Sequence, residues 1–120
     1  MSDLNLSTRE NGDVVIVDLN GRIGLGETSS ELHQKLKDLA AAGKNKVILN
    51  LANVTGIDSS GLGSLIAGYA TIEKNGGALK LLSLSDRVTE LMNITKLLTV
   101  FDIFDDEETA VASYGASAAA

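Results

Sequence analysis

The chain has 120 residues, 44% of them hydrophobic and 3% aromatic, which is enough for one globular domain with an aliphatic core. Its net charge of −6 argues against binding to nucleic acid or to an anionic membrane surface, and its 0 cysteines exclude disulfides, thiolate zinc sites and cysteine nucleophiles. Because it has neither an apolar run of about 20 residues nor the basic and apolar regions of a signal peptide, we expect a cytoplasmic protein.

The N-terminal residues predict two antiparallel strands. Leu4, Leu6 and Thr8 alternate with polar neighbours, and an apolar run covers residues 14–17. Asn11-Gly12 lies between them, and Asn-Gly is typical of a type I′ turn, which requires positive φ at both central residues. We therefore expect a hairpin with Asn11-Gly12 at its tip.

Helices and strands alternate along the rest of the chain. The pattern predicts helices starting near residues 28, 60, 86 and 105, and strands at residues 78–84 and 101–104. It also predicts a central strand that begins at residue 47 and leads into residues 58–61. A strand, a helix and a second strand form a parallel pair, so the order β-β-α-β-α-β-α-β-α predicts an α/β fold: an open mixed sheet with an N-terminal antiparallel hairpin and about four helices. We assign residues 1–113 to this single domain and residues 114–120 to a flexible tail rich in Gly, Ala and Ser.

The sequence lacks the residue sets that are typical of enzymes. His33 is the only histidine, and its position on the first predicted helix favours a surface or boundary role. There is no Gly-x-Ser-x-Gly elbow, no phosphate-binding Gly-x-x-x-x-Gly-Lys-Ser/Thr loop and no complete Gly-x-Gly-x-x-Gly motif. The acidic residues 105–108 fit a solvated first helical turn better than a metal site. We predict no catalytic residue, no cofactor and no metal, hence a protein that is not an enzyme.

The most informative segment is Asp58-Ser59-Ser60-Gly61, which joins the central strand to the second helix. Its simplest interpretation is a helix cap, which contributes about 1 kcal/mol. However, one cap does not need two serines and an aspartate, and glycine in a first helical turn costs up to about 1 kcal/mol relative to alanine. Small residues here would let another protein approach, and the N–H groups that bind a capping oxygen can also accommodate a phosphate.

This segment resembles the signature of the STAS-domain anti-sigma-factor antagonists, a bacterial partner-switching family. The resemblance rests on four stretches, namely residues 47–63 (ending in IDSSGLG), 20–23 (NGRI), 76–81 (GGALKL) and 87–104. It implies a STAS fold and a protein without activity of its own that binds an anti-sigma factor and so releases a sigma factor.

The resemblance also implies a mechanism. The anti-sigma factor is a serine kinase that uses ATP to phosphorylate the serine after the aspartate, here Ser59, and phosphorylation blocks binding until a PP2C-type serine phosphatase resets the switch. The residues implied in partner binding are Asp58, Ser60, Gly61, Gly24 and Leu25. Many members carry aspartate where Gly24 stands, which alters the expected contacts with the kinase. Many carry glycine where Lys96 stands, which affects only local turn geometry.

Two alternatives stay open. The chain could be a non-switching STAS scaffold, or a subunit of a larger regulatory or lipid-transport complex, in which Ser59 only caps a helix. A small enzyme that uses residues 24–26 and Ser59 as a pocket is disfavoured, because no base lies near Ser59 in the sequence. The oligomeric state is open as well, and the features that suggest an interface are Leu25 and any uncovered sheet edge.

Overall fold

The computed structural model describes residues 4–24 and 27–119. The predicted order of elements is confirmed, with a short 3₁₀ helix added after α3. The elements are β1 (Leu4–Asn11), β2 (Val14–Ile23), α1 (Glu27–Ala41), β3 (Lys46–Ile57), α2 (Ser59–Lys74), β4 (Ala78–Leu82), α3 (Asp86–Ile94), the 3₁₀ helix (Leu97–Thr99), β5 (Ile103–Phe104) and α4 (Glu107–Ala119). The predicted boundary at residue 113 falls within α4. Among the described helices, none has the length and apolarity needed to cross a bilayer.

The strands form one mixed sheet in the order β1-β2-β3-β4-β5. The β1–β2 pair is antiparallel and the other three pairs are parallel, as predicted. The predicted hairpin turn was wrong by one residue, because Asn11 pairs with Val14 and Gly12-Asp13 forms the tip. Only Gly12 has positive φ there (+66°), which matches a type II′ turn with glycine first rather than type I′.

The sheet has an apolar core on each face. Val15, Val17 and Leu49 point to one face, where α1, α2 and α3 cover them, and Ile16 and Ile48 point to the other. This division follows from the alternation of side chains along a strand, since a run of consecutive apolar residues supplies both faces. The second face is covered by α4, through Ala110 and Tyr114.

Polar contacts hold α4 against the sheet. The Arg9 guanidinium on β1 bridges Asp18 on β2 (Nε to Oδ2, 2.7 Å) and Glu107 at the start of α4 (2.6 Å). It holds the pKa of both carboxyl groups below their usual values, mainly through these hydrogen bonds. Further along α4, the Tyr114 hydroxyl donates to the Val47 carbonyl oxygen at 2.7 Å, and burial raises the pKa of this tyrosine.

Strand β3 positions the segment that the sequence singles out. It is the longest strand, and its last residue, Ile57, pairs with Ile23 at the end of β2. The chain then enters α2 directly, so Asp58 and Ser59 lie at the carboxyl edge of the parallel strands. Ligand sites in open α/β sheets usually form at this edge.

Candidate functional site at the β3–α2 joint

Asp58 is the N-cap of α2. Its backbone is extended (φ −107°, ψ −173°), and its Oδ1 accepts a hydrogen bond from the Gly61 N–H at 3.0 Å. Its own N–H donates to the Ile23 carbonyl oxygen at 3.2 Å, which ties the helix start to the end of β2. The predicted cap is therefore made by the aspartate alone, and neither serine side chain is needed for it.

Gly24 lies directly against the Asp58 carboxylate. A Cβ atom on residue 24 would be 2.8 Å from Asp58 Oδ2, so glycine allows the carboxylate to approach the backbone of the β2–α1 connection. Gly24 is buried, and its carbonyl oxygen accepts from the Ser29 N–H in α1 at 3.1 Å. The structure thus brings Asp58 and Gly24 together. Leu25, predicted beside them, lies outside the described residues.

Ser59 is the first residue of α2, and its side chain is exposed. Ser60 follows it and is half-buried. Within the described part of the chain, neither hydroxyl makes a hydrogen bond, and the N–H groups of both residues have no acceptor. Helix starts leave such N–H groups unsatisfied unless a cap, water or an anion binds them. The Ser59 hydroxyl is therefore accessible and unrestrained at the positive end of a 16-residue helix.

The two glycines in the first turn of α2 have different surroundings. A Cβ on Gly61 would be 2.4 Å from the Ile23 carbonyl oxygen and 2.7 Å from Ile57 Cγ1, so this buried glycine lets α2 pack on its own sheet. A Cβ on Gly63 would meet nothing within 4 Å, and Gly63 is exposed. Burial favours an internal role for Gly61, and its contact with a partner stays a prediction. Gly63 is the glycine of this turn that borders open space.

An exposed face of α2 continues from Ser59. It consists of Ser59, Gly63, Ile66 and Ala70, which share one side of the helix and are all exposed. Ile66 is 40% exposed, whereas the helical periodicity groups it with the buried Leu62 and Leu65. Sequence reasoning missed this face, and the spacing of four, three and four residues from Ser59 is the signal that could have indicated it. We call these four residues the α2 face.

The other positions that the sequence singles out lie away from this joint. Lys96 has φ +62°, a left-handed conformation that favours glycine. His33 is half-buried on α1. In the described part of the chain, no group of three His, Asp or Glu side chains lies close enough together to hold a metal ion.

The model of the STAS domain family matches residues 5–110. The chain belongs to the STAS domain family. It is similar to the anti-sigma-B factor antagonist of Bacillus subtilis (strain 168), with 33% identity over 109 residues that cover 91% of this chain and 98% of the relative. The STAS relationship thus spans the described sheet from residue 5 onward and includes the Asp58–Gly61 segment.

Solved structures support the same assignment. A Thermotoga maritima protein assigned as an anti-sigma factor antagonist superposes with a TM-score of 0.84 at 27% identity, covering 90% of this chain and 92% of the other. The Bacillus cell fate determinant SpoIIAA in its phosphorylated form superposes with a TM-score of 0.72 at 19% identity, covering 92% and 99%. At that identity the second likeness shows the fold alone.

Proposed function

We propose that this chain is an anti-sigma-factor antagonist controlled by phosphorylation of Ser59. In its unphosphorylated form it binds an anti-sigma factor that is also a serine kinase and so releases a sigma factor in the cytoplasm. The kinase uses ATP to phosphorylate Ser59, which ends binding, and a PP2C-type serine phosphatase restores the free hydroxyl. The chain has no catalytic activity and no cofactor of its own in this scheme. The observation that carries the proposal is the exposed, unrestrained Ser59 hydroxyl beside the Asp58 cap.

A phosphate on Ser59 is compatible with the fold. Phosphorylation adds a charge of about −1.5 to −2 and three acceptor oxygens. The N–H groups of Ser59 and Ser60 have no acceptor in the described part of the chain, and the helix dipole favours a negative charge at this end. Because Asp58 rather than Ser59 caps the helix, the modification leaves the existing cap in place. We expect the phosphorylated domain to stay folded.

The same phosphate would disrupt docking on the α2 face. Ser59 is at one end of this face, and the rest of it, Gly63, Ile66 and Ala70, carries no charge. A partner that buries the face would have to desolvate the phosphate and place it beside the Asp58 carboxylate. A loss of about 3 kcal/mol in binding free energy corresponds to roughly a hundredfold weaker affinity. That change is enough to exchange partners at fixed concentrations.

The relatives support an anti-sigma factor as the partner. The Bacillus subtilis relative is named for antagonism of the anti-sigma-B factor, and the Thermotoga protein is assigned to the same general class. By analogy, we propose that the partner-binding surface of this chain includes Asp58, Ser60, the region around Gly24 and the α2 face. Leu25 and Gly61 are further proposed contacts from the sequence resemblance.

Phosphorylation can be tested with the anti-sigma factors encoded in the source genome. Each is incubated with the full chain and ATP, and the intact mass is measured. We expect one added phosphate on the natural chain and on Ser60→Ala, and none on Ser59→Ala. Ser60→Ala is the matched control because it removes the neighbouring hydroxyl from the same helical turn. A phosphate that persists in Ser59→Ala would place the acceptor elsewhere.

The scaffold alternative predicts a different result. If Ser59 is only part of a helix start, no kinase adds phosphate, and Ser59→Ala and Ser59→Asp bind the same partners equally. A pull-down with both variants therefore separates the two functions. The switch predicts that Ser59→Ala retains the anti-sigma factor and that Ser59→Asp loses it.

A further inference from the structure

A cavity of about 260 Å³ lies at the end of the sheet opposite to Ser59. It is bordered by the amino ends of β3 and β4 and by α4. Asn45, Lys46, Lys80 and Tyr114 contribute to its walls, and residues 76–78 complete them. No lining residue is acidic. This composition is unusual in a chain whose net charge is −6.

Lys80 is a buried cation in this cavity. Its exposed fraction is 8%, and its Nζ donates to Ser113 Oγ at 2.7 Å. The ammonium lies 4.3 Å from the ring centroid of Tyr114 and 5.7 Å from that of Phe104. Within the described residues, no carboxylate lies within 4.0 Å of it. A hydroxyl and two rings compensate only part of the cost of burying a charge, and buried lysines are normally paired with an anion.

The ammonium of Lys46 and the ring of Tyr114 form further parts of the site. Lys46 is half-buried and pairs with Asp13 at 2.6 Å, but the Asp13 side chain is 73% exposed on the hairpin turn and does not line the cavity. The Tyr114 hydroxyl donates to the Val47 carbonyl oxygen and also contacts the Ala78 carbonyl oxygen. These contacts hold its ring in place beside Lys80. The site is therefore an open depression with a positive lining, and Tyr114 is fixed in one of its walls.

We infer that this cavity binds a small oxyanion, such as inorganic phosphate or the phosphate group of a small metabolite. The Lys80 ammonium favours a negative ligand, and the Lys46 ammonium at the rim, although paired with Asp13, adds to the positive potential. An oxyanion would supply the charge that Lys80 lacks among the described residues. The volume is below the 300–1,000 Å³ that is typical of pockets for drug-sized ligands, which favours a compact anion. An occupant would link β4 to α4 through Lys80 and would thus stabilise α4 against the sheet.

The site is separate from the phosphorylation site. Lys46 and Ile57 are the two ends of β3, so the cavity and Ser59 lie at opposite edges of the sheet. Anion binding therefore does not depend on Ser59 or on the proposed switch. A chain that binds no phosphate in this cavity could still be switched at Ser59. A chain that is not phosphorylated on Ser59 could still bind an anion in the cavity.

Titration of the full chain with sodium phosphate tests the inference, with backbone amide NMR shifts as the readout and sodium chloride at equal ionic strength as the reference. We expect saturable shifts at residues 45–46, 76–80 and 113–114. Lys80→Met, which keeps the apolar stem, should abolish them. Lys46→Gln should weaken the affinity about tenfold, because it removes one of two charges. Lys37→Met, an exposed position on α1, is the matched control and should bind phosphate normally.

Three results would overturn the inference. The first is that chloride produces the same shifts as phosphate. The second is that the shifts spread over exposed lysines instead of the cavity residues. The third is that Lys46→Gln binds phosphate with unchanged affinity. Lys46→Gln decides the question even if Lys80→Met does not fold, because Lys46 is at the rim and outside the apolar core. Repeating the titration with a sugar phosphate distinguishes the two sources of the anion. Tighter binding of the sugar phosphate indicates a metabolite site, and tighter binding of inorganic phosphate indicates a site for the free ion.

Discussion

The carboxylate of Asp58 and the backbone of Gly24 are in such close approach that a Cβ atom on residue 24 would lie 2.8 Å from Oδ2. The other carboxylate oxygen of Asp58 caps α2 through the Gly61 N–H. One side chain thus fixes the start of the helix that carries Ser59 and contacts the β2–α1 connection. An aspartate at position 24 would place a second carboxylate against the first.

Gly24→Ala should destabilise the fold by displacing this carboxylate from its cap. We expect Asp58→Ala alone to lower the free energy of unfolding by about 1 kcal/mol, the usual value of an N-cap. Gly24→Ala should cost a similar amount in the natural background but little in the Asp58→Ala background, because the clashing oxygen is then absent. Urea unfolding of the two single variants and the double variant measures this coupling. Additive losses would show that the two residues act independently.

Gly61→Ala and Gly63→Ala form a matched pair in one helical turn. The first puts a methyl group 2.4 Å from the Ile23 carbonyl oxygen, and we expect a loss of about 1–3 kcal/mol because backbone must move. The second puts a methyl group in open space, and the better helix propensity of alanine should raise stability by up to about 1 kcal/mol. Thermal unfolding checks both. Equal effects would contradict the internal role assigned to Gly61.

Arg9→Gln should lower the free energy of unfolding at neutral pH. It should also make that free energy less sensitive to acidification. Arg9 lowers the pKa values of Asp18 and Glu107 in the folded chain. As the pH falls, these two carboxylates are therefore protonated in the unfolded chain before they are protonated in the folded chain. The two carboxylates stabilise the fold fully at pH values above their pKa values in the unfolded chain, and this stabilisation is lost as the pH falls below about 5. We expect Arg9→Gln to cost about 1 kcal/mol at pH 7 and less at pH 3. Urea midpoints measured across this range give the difference.

The exposed pair of Lys44 and Glu10, 3.5 Å apart, supplies the control for Arg9. Lys44→Gln removes one charged contact at the surface and should leave both the midpoint and its pH dependence unchanged. If Lys44→Gln reproduces the effect of Arg9→Gln, net charge rather than the bridge to α4 is responsible.

Lys96→Gly should stabilise the protein. Lys96 has φ +62°, and a left-handed residue with a side chain is disfavoured by about 1 kcal/mol relative to glycine. Part of that gain is lost because glycine has more freedom in the unfolded chain, so we expect a net gain of about 0.5 kcal/mol in unfolding free energy. Lys37→Gly, in the middle of α1, is a control for which we expect the opposite sign, namely a lower free energy of unfolding. A destabilised Lys96→Gly would show that the lysine side chain makes a contribution of its own.

Local signals in the sequence were sufficient for the order of elements and for the position of the joint. The apolar run of β3, the small polar residues after it and the periodicity of α2 depend only on neighbours along the chain. The family signature located Ser59 for the same reason. The exact hairpin turn was not predicted. A tip at Asn11-Gly12 and a tip at Gly12-Asp13 differ by one residue in strand register, and the pairing of Asn11 with Val14 selects the second.

Features that depend on distant residues were not accessible from the sequence. The requirement for glycine at position 61 comes from the Ile23 carbonyl oxygen, 38 positions earlier, and the approach of Gly24 to Asp58 is equally non-local. Ile66 fits a buried stripe by periodicity but lies at the exposed edge of α2. The burial of Lys80 depends on α4 crossing the second face of the sheet, which no local pattern indicates.

The central claim concerns the charge on Ser59, and calorimetric titration of the cognate anti-sigma factor tests it most directly. The titrants are the unphosphorylated chain, the chain phosphorylated stoichiometrically on Ser59, and the phosphorylated chain after treatment with a PP2C-type phosphatase. We predict roughly a hundredfold weaker binding for the phosphorylated chain and full recovery after dephosphorylation. Affinities that agree within about twofold for all three would contradict the partner switch.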